Sequence, residues 1–347
     1  MKIVLDAMGG DHAPVVTVEG AVETVNEVDD IEIILVGAED LIWKEIENKR
    51  YPAQRISVVH ASQTVSMNDE VSFAIRRKKD SSIHKGIELV RNGKADAFVS
   101  AGHSGVVMAT ALLRLGKISG VSRPAIAATM PTLKGKFILI DAGANVDSEP
   151  ENLFQFALMG NAYAKTIYGI KDPRIALLSI GEEDTKGNEL TKETFKLLSK
   201  TDLNFVGNIE GKDIFKGNVD VVVCDGFIGN VVLKVSEGLA ETILRMLKKE
   251  IADIITGRVA YMLIKPAIKN FKKKTDYSEY GGAPLMGING TCIISHGRST
   301  SKAIRNALKL ANKFSKEGFK DTITQELLKY QKQIVESPQE PAIQGVI

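Results

Sequence analysis

Glycines beside Asp, His, Asn and Lys recur along this chain, each time directly after a short apolar run. The first group is Asp6-Ala7-Met8-Gly9-Gly10-Asp11-His12-Ala13-Pro14, which follows Lys2-Ile3-Val4-Leu5. Gly102-His103-Ser104-Gly105, Asp141-Ala142-Gly143-Ala144-Asn145, Gly181 to Asn188 with Lys186 inside it, and Asp225-Gly226-Phe227-Ile228-Gly229-Asn230 repeat the arrangement. His296-Gly297-Arg298-Ser299 follows a last apolar run. Paired glycines let backbone N–H groups approach a ligand that side chains would block. Gly-rich loops that open helices bind anions, phosphate above all. An ordinary strand-to-helix turn, with Pro14 at the first helical position, is the competing reading of the first loop.

The motifs that are missing narrow the chemistry. No G-x-x-x-x-G-K-[ST] occurs, which disfavours a P-loop nucleotide hydrolase, and no G-x-G-x-x-G follows the first strand, which disfavours a dinucleotide site. Gly102-His103-Ser104-Gly105 resembles a nucleophile elbow but carries Val106 where the second glycine belongs, so Ser104 reads as a helix N-cap or ligand donor. The five histidines, at 12, 60, 84, 103 and 296, show no metal-ligand spacing, and no metal or cofactor is expected. What remains is phosphate-friendly backbone without an evident protein nucleophile. That suits a reaction in which phosphate itself attacks, since its dianion needs only positioning and desolvation. With a thioester as electrophile the thiolate leaves readily, and the protein has to stabilise a tetrahedral oxyanion.

The elements that position these loops read as alternating strands and helices. Helical patterns cover Val15 to Glu27, Leu41 to Asn48, Ile83 to Arg91, Val106 to Leu115, Leu153 to Tyr168 and Leu190 to Leu198. Strands Ile31 to Val36, Ile56 to His60 and Ala125 to Met130 lie between them, as in a doubly wound α/β sheet. In such a sheet the carboxyl ends of the strands share one edge, so the loops are expected around one crevice. The chain has 347 residues, 44% of them hydrophobic, ample for a core. No signal-like start and no apolar run of membrane-spanning length occur, which points to the cytoplasm. Cys224 and Cys292 lie far apart inside apolar runs and read as core residues.

The net charge of +2 hides an asymmetry, because Arg245 to Lys274 holds nine basic residues against two acidic ones. Val231 to Glu250 and Ile251 to Phe271 read as two long helices broken near Thr256-Gly257, the second amphipathic and interrupted by Pro266. Membrane-surface contact, carrier docking and dimer packing all fit this 231–274 segment. Tyr280 to Gly290 reads as a loop-rich run, Thr291 to Ser295 as a strand, and Ser301 to Phe314 and Asp321 to Glu336 as closing helices. One catalytic domain, 1–336, with a frayed tail, 337–347, is the expected organisation.

Asp6 to Pro14, Ser100 to Gly105, Asp141 to Asn145, Asp225 to Asn230 and the Tyr280 to Ser299 region together resemble, in the same order, the signatures of the phosphate acyltransferases of bacterial phospholipid synthesis. The resemblance covers Met1 to about Glu336. It implies a Rossmann-like three-layer α/β/α fold, like that of isocitrate and isopropylmalate dehydrogenases, with a protruding helical hairpin. It also implies conversion of long-chain acyl-[acyl-carrier-protein] and inorganic phosphate to acyl phosphate and free carrier protein. The acyl phosphate would feed a membrane glycerol-3-phosphate acyltransferase. A homodimer peripherally associated with the inner face of the cell membrane is implied too, without nucleic acid. The alternatives are a phosphotransacetylase-like enzyme using short acyl-coenzyme A and a non-catalytic membrane-surface scaffold for acyl carrier protein.

Phosphate is expected on the backbone around Gly9, Gly10, Gly102 and Gly105, with Lys186 or Arg298 supplying positive charge. His103 is the first choice for oxyanion stabilisation or proton management, with His12 and His296 behind it. Asp6, Asp11, Asp141, Gly143, Gly226, Gly229 and Ser104 complete the binding loops. Asp6, Asp141 and Asp225 are expected to orient loops or a lysine, because like charges repel phosphate. Asn145 and Asn230 are expected to donate amide hydrogens to phosphate or thioester. Lys186 reads equally as a surface partner of Glu182, Glu183 and Asp184. Arg258, Lys265, Lys269, Lys272, Lys273 and Lys274 are the expected carrier or membrane surface, and His60 and His84 read as surface or packing residues.

Overall fold

In the computed structural model, residues 1–252, 266 and 279–336 are described, and they build one mixed sheet covered by helices on both faces. The strands are β1 (Lys2–Asp6), β2 (Glu32–Gly37), β3 (Ile56–His60), β4 (Ala97–Ser100), β5 (Ala125–Thr132), β6 (Gly135–Ile140), β7 (Ile175–Ser179), β8 (Phe205–Glu210), β9 (Val221–Val223), β10 (Ala283–Met286) and β11 (Thr291–Ile294). Their order is β3-β2-β1-β4-β11-β10-β5-β6-β9-β7-β8. Most strand positions are apolar and buried, because both faces of the sheet are covered. In β1, Ile3 and Leu5 enter one core while Val4 enters another on the opposite face, as the two-residue period requires.

The first core is continuous along the sheet. It is filled by α1 (Val15–Glu27), α2 (Glu39–Ile46), α6 (Pro150–Tyr168), α7 (Glu189–Leu198), α9 (Ser301–Lys316) and α10 (Phe319–Glu336). The opposite face is covered by α3 (Val71–Arg77), α4 (Ser82–Arg91) and α5 (Ser104–Leu115) over one half, and by the start of α8 (Gly226–Ala252) over the other. The layers are α/β/α, as expected. The central α6 is buried over most of its length and opens with a capping box, in which the Asn152 side chain accepts from Glu149 N–H at 2.8 Å.

One expectation fails here. β10 is antiparallel to both β11 and β5, and β5 is antiparallel to β6. Three successive reversals make β6, β9 and β7 run opposite to β1, β4 and β11, while each set is parallel within itself. The carboxyl ends therefore face opposite edges of the sheet and the loops form two groups. β10 itself lies inside the run read as a loop, with Pro284 opposite Ile293. Helix α8 runs unbroken from Gly226, a turn before the expected start. The expected break at Thr256-Gly257, the second helix of the 231–274 segment, the six basic residues Arg258, Lys265, Lys269, Lys272, Lys273 and Lys274, and the tail 337–347 lie outside the described residues. Among the described residues no helix is long and apolar enough to cross a membrane.

Candidate active site

At the first edge the loops after β1, β4 and β11 interlock. Asp6 ends β1 fully buried, its carboxylate accepting from Met8 N–H at 3.1 Å and from Ser100 Oγ–H at 2.7 Å. The Ser100 hydroxyl in turn accepts from Gly102 N–H at 3.0 Å, and Ser295 N–H reaches the Ser100 carbonyl at 2.8 Å. Burial pushes the Asp6 pKa up, and hydrogen bonds from Ser82 and Ser100 pull against that. Asp11 N–H donates to the Gly297 carbonyl at 2.8 Å. A Cβ on Gly9 would stand 2.7 Å from Gly102 N and 2.5 Å from Asp6 Oδ2. Gly10 holds φ +104°, and a Cβ there would meet the Gly297 carbonyl at 3.0 Å. Glycine is required at both positions, by close approach at one and by conformation at the other.

Helix α5 begins at this edge. His103, not Ser104, is its N-cap: His103 Nδ1 accepts from Val106 N–H at 3.4 Å, and Ser104 is the first helical residue. The first-turn amides of a helix have no intrahelical partner, so Ser104 and Gly105 keep N–H groups that point out of the helix start. An accepting Nδ1 places the proton of neutral His103 on Nε2, making that atom a donor. Asp11, His12 and Ser104 are exposed, and Pro14 precedes rather than begins α1, which starts at Val15. Arg298 is exposed on the same edge, its N–H bonded to His296 Nδ1 at 3.1 Å. The His296 pKa is lowered, first by burial and then by Lys234 and Arg298, with Glu237 and Asp11 acting oppositely. Lys234 and Glu237 belong to α8, which thus runs from the second edge to the first; no motif in the sequence flags these two residues.

The second edge is built on Asp141. Its buried carboxylate accepts backbone N–H groups from Ile126, Gly143, Ala144 and Asn145, and the Asn145 side-chain amide, at 2.8 to 3.1 Å. Burial raises its pKa while these donors oppose the rise. The Asn145 amide also donates to the Pro124 carbonyl at 2.7 Å, so both its hydrogens are committed inside the loop and the expected donation to substrate is not available. Asp225 accepts from Phe227 N–H at 2.8 Å and from Ser148 N–H at 2.9 Å, tying the start of α8 to the loop after β6. Cβ atoms on Gly226 and Gly229 would fall 2.2 Å from the Asn145 carbonyl and 1.8 Å from the Asp141 carbonyl. Asn230 is exposed beside Gly143. Lys186 is exposed on this same edge, its side chain lying over Gly181, away from Gly9 and Gly102. Arg298, not Lys186, accompanies the first-edge glycines.

Neither thiol offers a nucleophile. Burial pushes Cys292 up to about 12 and Cys224 well above the usual thiol range, with Asp141 and Asp225 adding to the effect at Cys224. Among the described residues no group of three or more His, Cys, Asp or Glu could hold a metal ion. Of the two serines that fix Asp6, Ser82 lies outside every sequence motif, and Ser100 lies inside one without being singled out as a site residue.

Comparison with known proteins bears on this geometry. The sequence pattern of the family described as "Fatty acid synthesis protein" matches residues 1–322. A protein of Thermodesulfovibrio yellowstonii called "Phosphate acyltransferase" is 60% identical over 327 residues, 94% of each chain. One of the same name from Dictyoglomus turgidum is 52% identical over 318 residues, 91% of this chain and 94% of its own. Among solved structures, the EutD phosphotransacetylase from Staphylococcus aureus aligns over 91% of this chain and 94% of its own, with TM-score 0.58 and 18% identity. The 4-hydroxythreonine-4-phosphate dehydrogenase from Klebsiella pneumoniae aligns over 91% and 97%, with TM-score 0.51 and 11% identity. These two likenesses show a shared fold, the dehydrogenase-like α/β/α architecture expected from the sequence. The sequence relatives carry the identity: this chain belongs to the phosphate acyltransferase family.

Proposed function

We propose that the protein transfers the acyl group of a long-chain acyl-[acyl-carrier-protein] to inorganic phosphate, giving acyl phosphate and free carrier protein. The observation that carries the site assignment is the first-edge cradle, in which Gly9 and Gly10 press against Gly102 and Gly297 while the N–H groups of Ser104 and Gly105 face outward. Phosphate held there by helix-start amides and Arg298 is stripped of water and aimed. One phosphate oxygen attacks the thioester carbonyl carbon, and a C–O bond forms as the carbonyl oxygen becomes an oxyanion. Nε2–H of His103 is the donor for that oxyanion. The tetrahedral intermediate collapses with cleavage of the C–S bond, and the thiolate leaves with the electron pair. It takes up the proton that the monohydrogen phosphate gives up, so no protein acid need be consumed.

The test incubates purified protein with palmitoyl carrier protein, with and without phosphate, and traps product with hydroxylamine. Phosphate-dependent release of carrier thiol is expected; equal release without phosphate refutes the proposal. Acetyl-coenzyme A as a parallel substrate separates this reading from a phosphotransacetylase.

The assembly we propose is a homodimer at the inner face of the cell membrane, passing acyl phosphate to a membrane glycerol-3-phosphate acyltransferase. Support comes from α8, where Ile228, Val231, Val235, Leu239, Ile243 and Met246 recur at helical spacing and are each 46 to 62% exposed. An apolar stripe of that length marks a contact surface. Reversing the charge of Lys272, Lys273 and Lys274 should weaken liposome flotation or raise the Michaelis constant for carrier; no change in either refutes that part.

A further inference from the structure

Helices α3, α4 and α5 enclose an open cleft of about 350 Å³ that no step above uses. Its lining includes Arg76, Lys79 and Arg114 together with Ile75, Leu113 and Thr110. Thr110 sits two turns beyond His103 on α5, so the cleft opens at a different place from the cradle at the start of that helix. Three cations converge with little compensation. Lys78, next in the chain, pairs with Asp69 at 2.6 Å, but among the described residues neither Arg76 nor Lys79 has a carboxylate within 4.0 Å. Arg114 has Glu88 only at 4.0 Å, and Glu88 is closer to Arg91, at 3.2 Å.

Two groups in the wall bear on what the cleft takes. His84 is buried, with Nδ1 2.9 Å from Ser81 Oγ. Burial, then Arg114 and Lys79, lower its pKa, against a hydrogen bond with the Ile75 backbone. The Thr110 hydroxyl is buried without any hydrogen-bond partner, at 1% residue exposure. A buried hydroxyl left unpaired is unfavourable, and mutually repelling cations add to the cost of an empty cleft. Both are relieved by a single kind of ligand, an anion with several acceptor oxygens. The cleft is larger than a bare phosphate requires, and Ile75 and Leu113 give it an apolar side, Leu113 being 68% exposed.

We infer that this cleft is a second anion site, which takes a phosphate monoester carrying an organic portion. Arg76 and Arg114 hold the dianionic headgroup by paired N–H donors, as guanidinium groups do, and Lys79 adds charge. Two sources present this chemistry: a free small phosphate ester, and the headgroup of a lipid such as phosphatidic acid at a membrane surface. The site is independent of the acyl-transfer reading and stands or falls without it.

The test uses the full chain in two arms. Glycerol 3-phosphate is titrated by calorimetry, and vesicles of phosphatidylcholine with or without phosphatidic acid are compared by flotation. Wild type is expected to bind in at least one arm, and the double variant Arg76→Ala, Arg114→Ala to bind about tenfold or more weakly there, as loss of charge-assisted bonds implies. Binding of the soluble ester identifies a free ligand; binding to phosphatidic acid vesicles alone identifies the lipid. Thr110→Val, which keeps the side-chain shape, is expected to weaken the same binding while raising the melting temperature of the free protein. Absence of binding in both arms, or binding undiminished in both the double variant and Thr110→Val, overturns the inference.

Discussion

Replacing Gly9 by alanine tests the cradle at its tightest point. The added Cβ would lie 2.7 Å from Gly102 N and 2.5 Å from Asp6 Oδ2, against 3.4 Å for ordinary contact. The gap must therefore open by about 0.7 Å toward backbone and about 0.9 Å toward a carboxylate that Ser100 and Met8 hold in place. Overpacking of this kind costs about 1–3 kcal/mol, which for a chain of this size lowers the melting temperature by roughly 1–4 °C. The same displacement pulls the loops after β1 and β4 apart, and a phosphate between them loses at least one charge-assisted hydrogen bond. At about 1.5–3 kcal/mol per bond the Michaelis constant for phosphate should rise by about 10- to 100-fold. The assay is initial-rate hydroxylamine trapping across a phosphate series, with melting followed in parallel. Gly238→Ala serves as the control: a Cβ there meets nothing within 4 Å and Gly238 lies inside α8. That variant should gain about 0.5–1 kcal/mol from helix propensity and keep its phosphate constant. A Gly9→Ala protein that melts low but keeps the wild-type phosphate constant refutes the placement of phosphate there. One that does neither refutes the geometry.

The two jobs assigned to His103 can be separated. His103→Asn keeps an N-cap acceptor for α5 but removes the Nε2–H donor, so stability should hold while kcat falls by about 10²–10³; an unchanged kcat reduces His103 to a cap. His103→Ala should lose about 1 kcal/mol of stability in addition. A pH effect follows from His84 and His296, both held below the ordinary value of 6.5 chiefly by burial. Below pH 6.5 the unfolded chain binds protons that the folded chain refuses, so stability falls as pH drops. The double variant His84→Gln, His296→Gln should flatten the melting temperature between pH 7 and pH 5, and an unaltered slope refutes the assignment. Leu239→Lys places a charge in the exposed α8 stripe and, if the proposed dimer forms through it, should shift sedimentation toward monomer; an unshifted profile removes α8 from the proposed interface.

The local signals in the sequence were strong where burial and periodicity agree. The helix Val15–Glu27 and the strand Ile56–His60 coincide with the expected limits, because the apolar spacing there is clean. The short strand Ala283–Met286 was hidden by its composition. Tyr280-Gly281-Gly282-Ala283-Pro284 carries every mark of a turn, yet Pro284 sits in a strand whose neighbours on both sides are antiparallel. Missing that strand had a large consequence, since strand direction beyond it is what separates the loops. The glycine motifs were visible as motifs. Their division between two edges was not, because register and direction depend on pairings between residues more than a hundred positions apart, such as Leu285 with Ile126. Likewise Asn145 looks like a free amide in the sequence, and only the folded loop shows both hydrogens turned inward.

The sheet order explains why the motifs came in matching sets. Outward from the β10-β5 pair, β11, β4 and β1 follow on one side and β6, β9 and β7 on the other, each triplet parallel and the two opposed. Each innermost loop meets a loop farther out through glycine, Gly297 against Gly10 two strands away at one edge and Asn145 against Gly226 one strand away at the other. Each edge also rests on a buried aspartate that accepts the N–H two residues on, Met8 for Asp6 and Gly143 for Asp141. The halves then diverge. At the first edge a histidine caps α5 and the first-turn amides of Ser104 and Gly105 face outward, with Arg298 alongside. At the second, Asp225 and Asp141 place negative charge at the start of α8 and draw the amides inward. The proposed phosphate position rests on this difference: Arg298 and the outward amides offset Asp6 and Asp11 at the first edge, while the amides at the start of α8 are already taken, although both sets of loops are equally rich in glycine. Substituting Asp225 by asparagine should leave phosphate binding at the first edge unchanged, and a marked rise in the Michaelis constant for phosphate would show that the two edges act on one substrate.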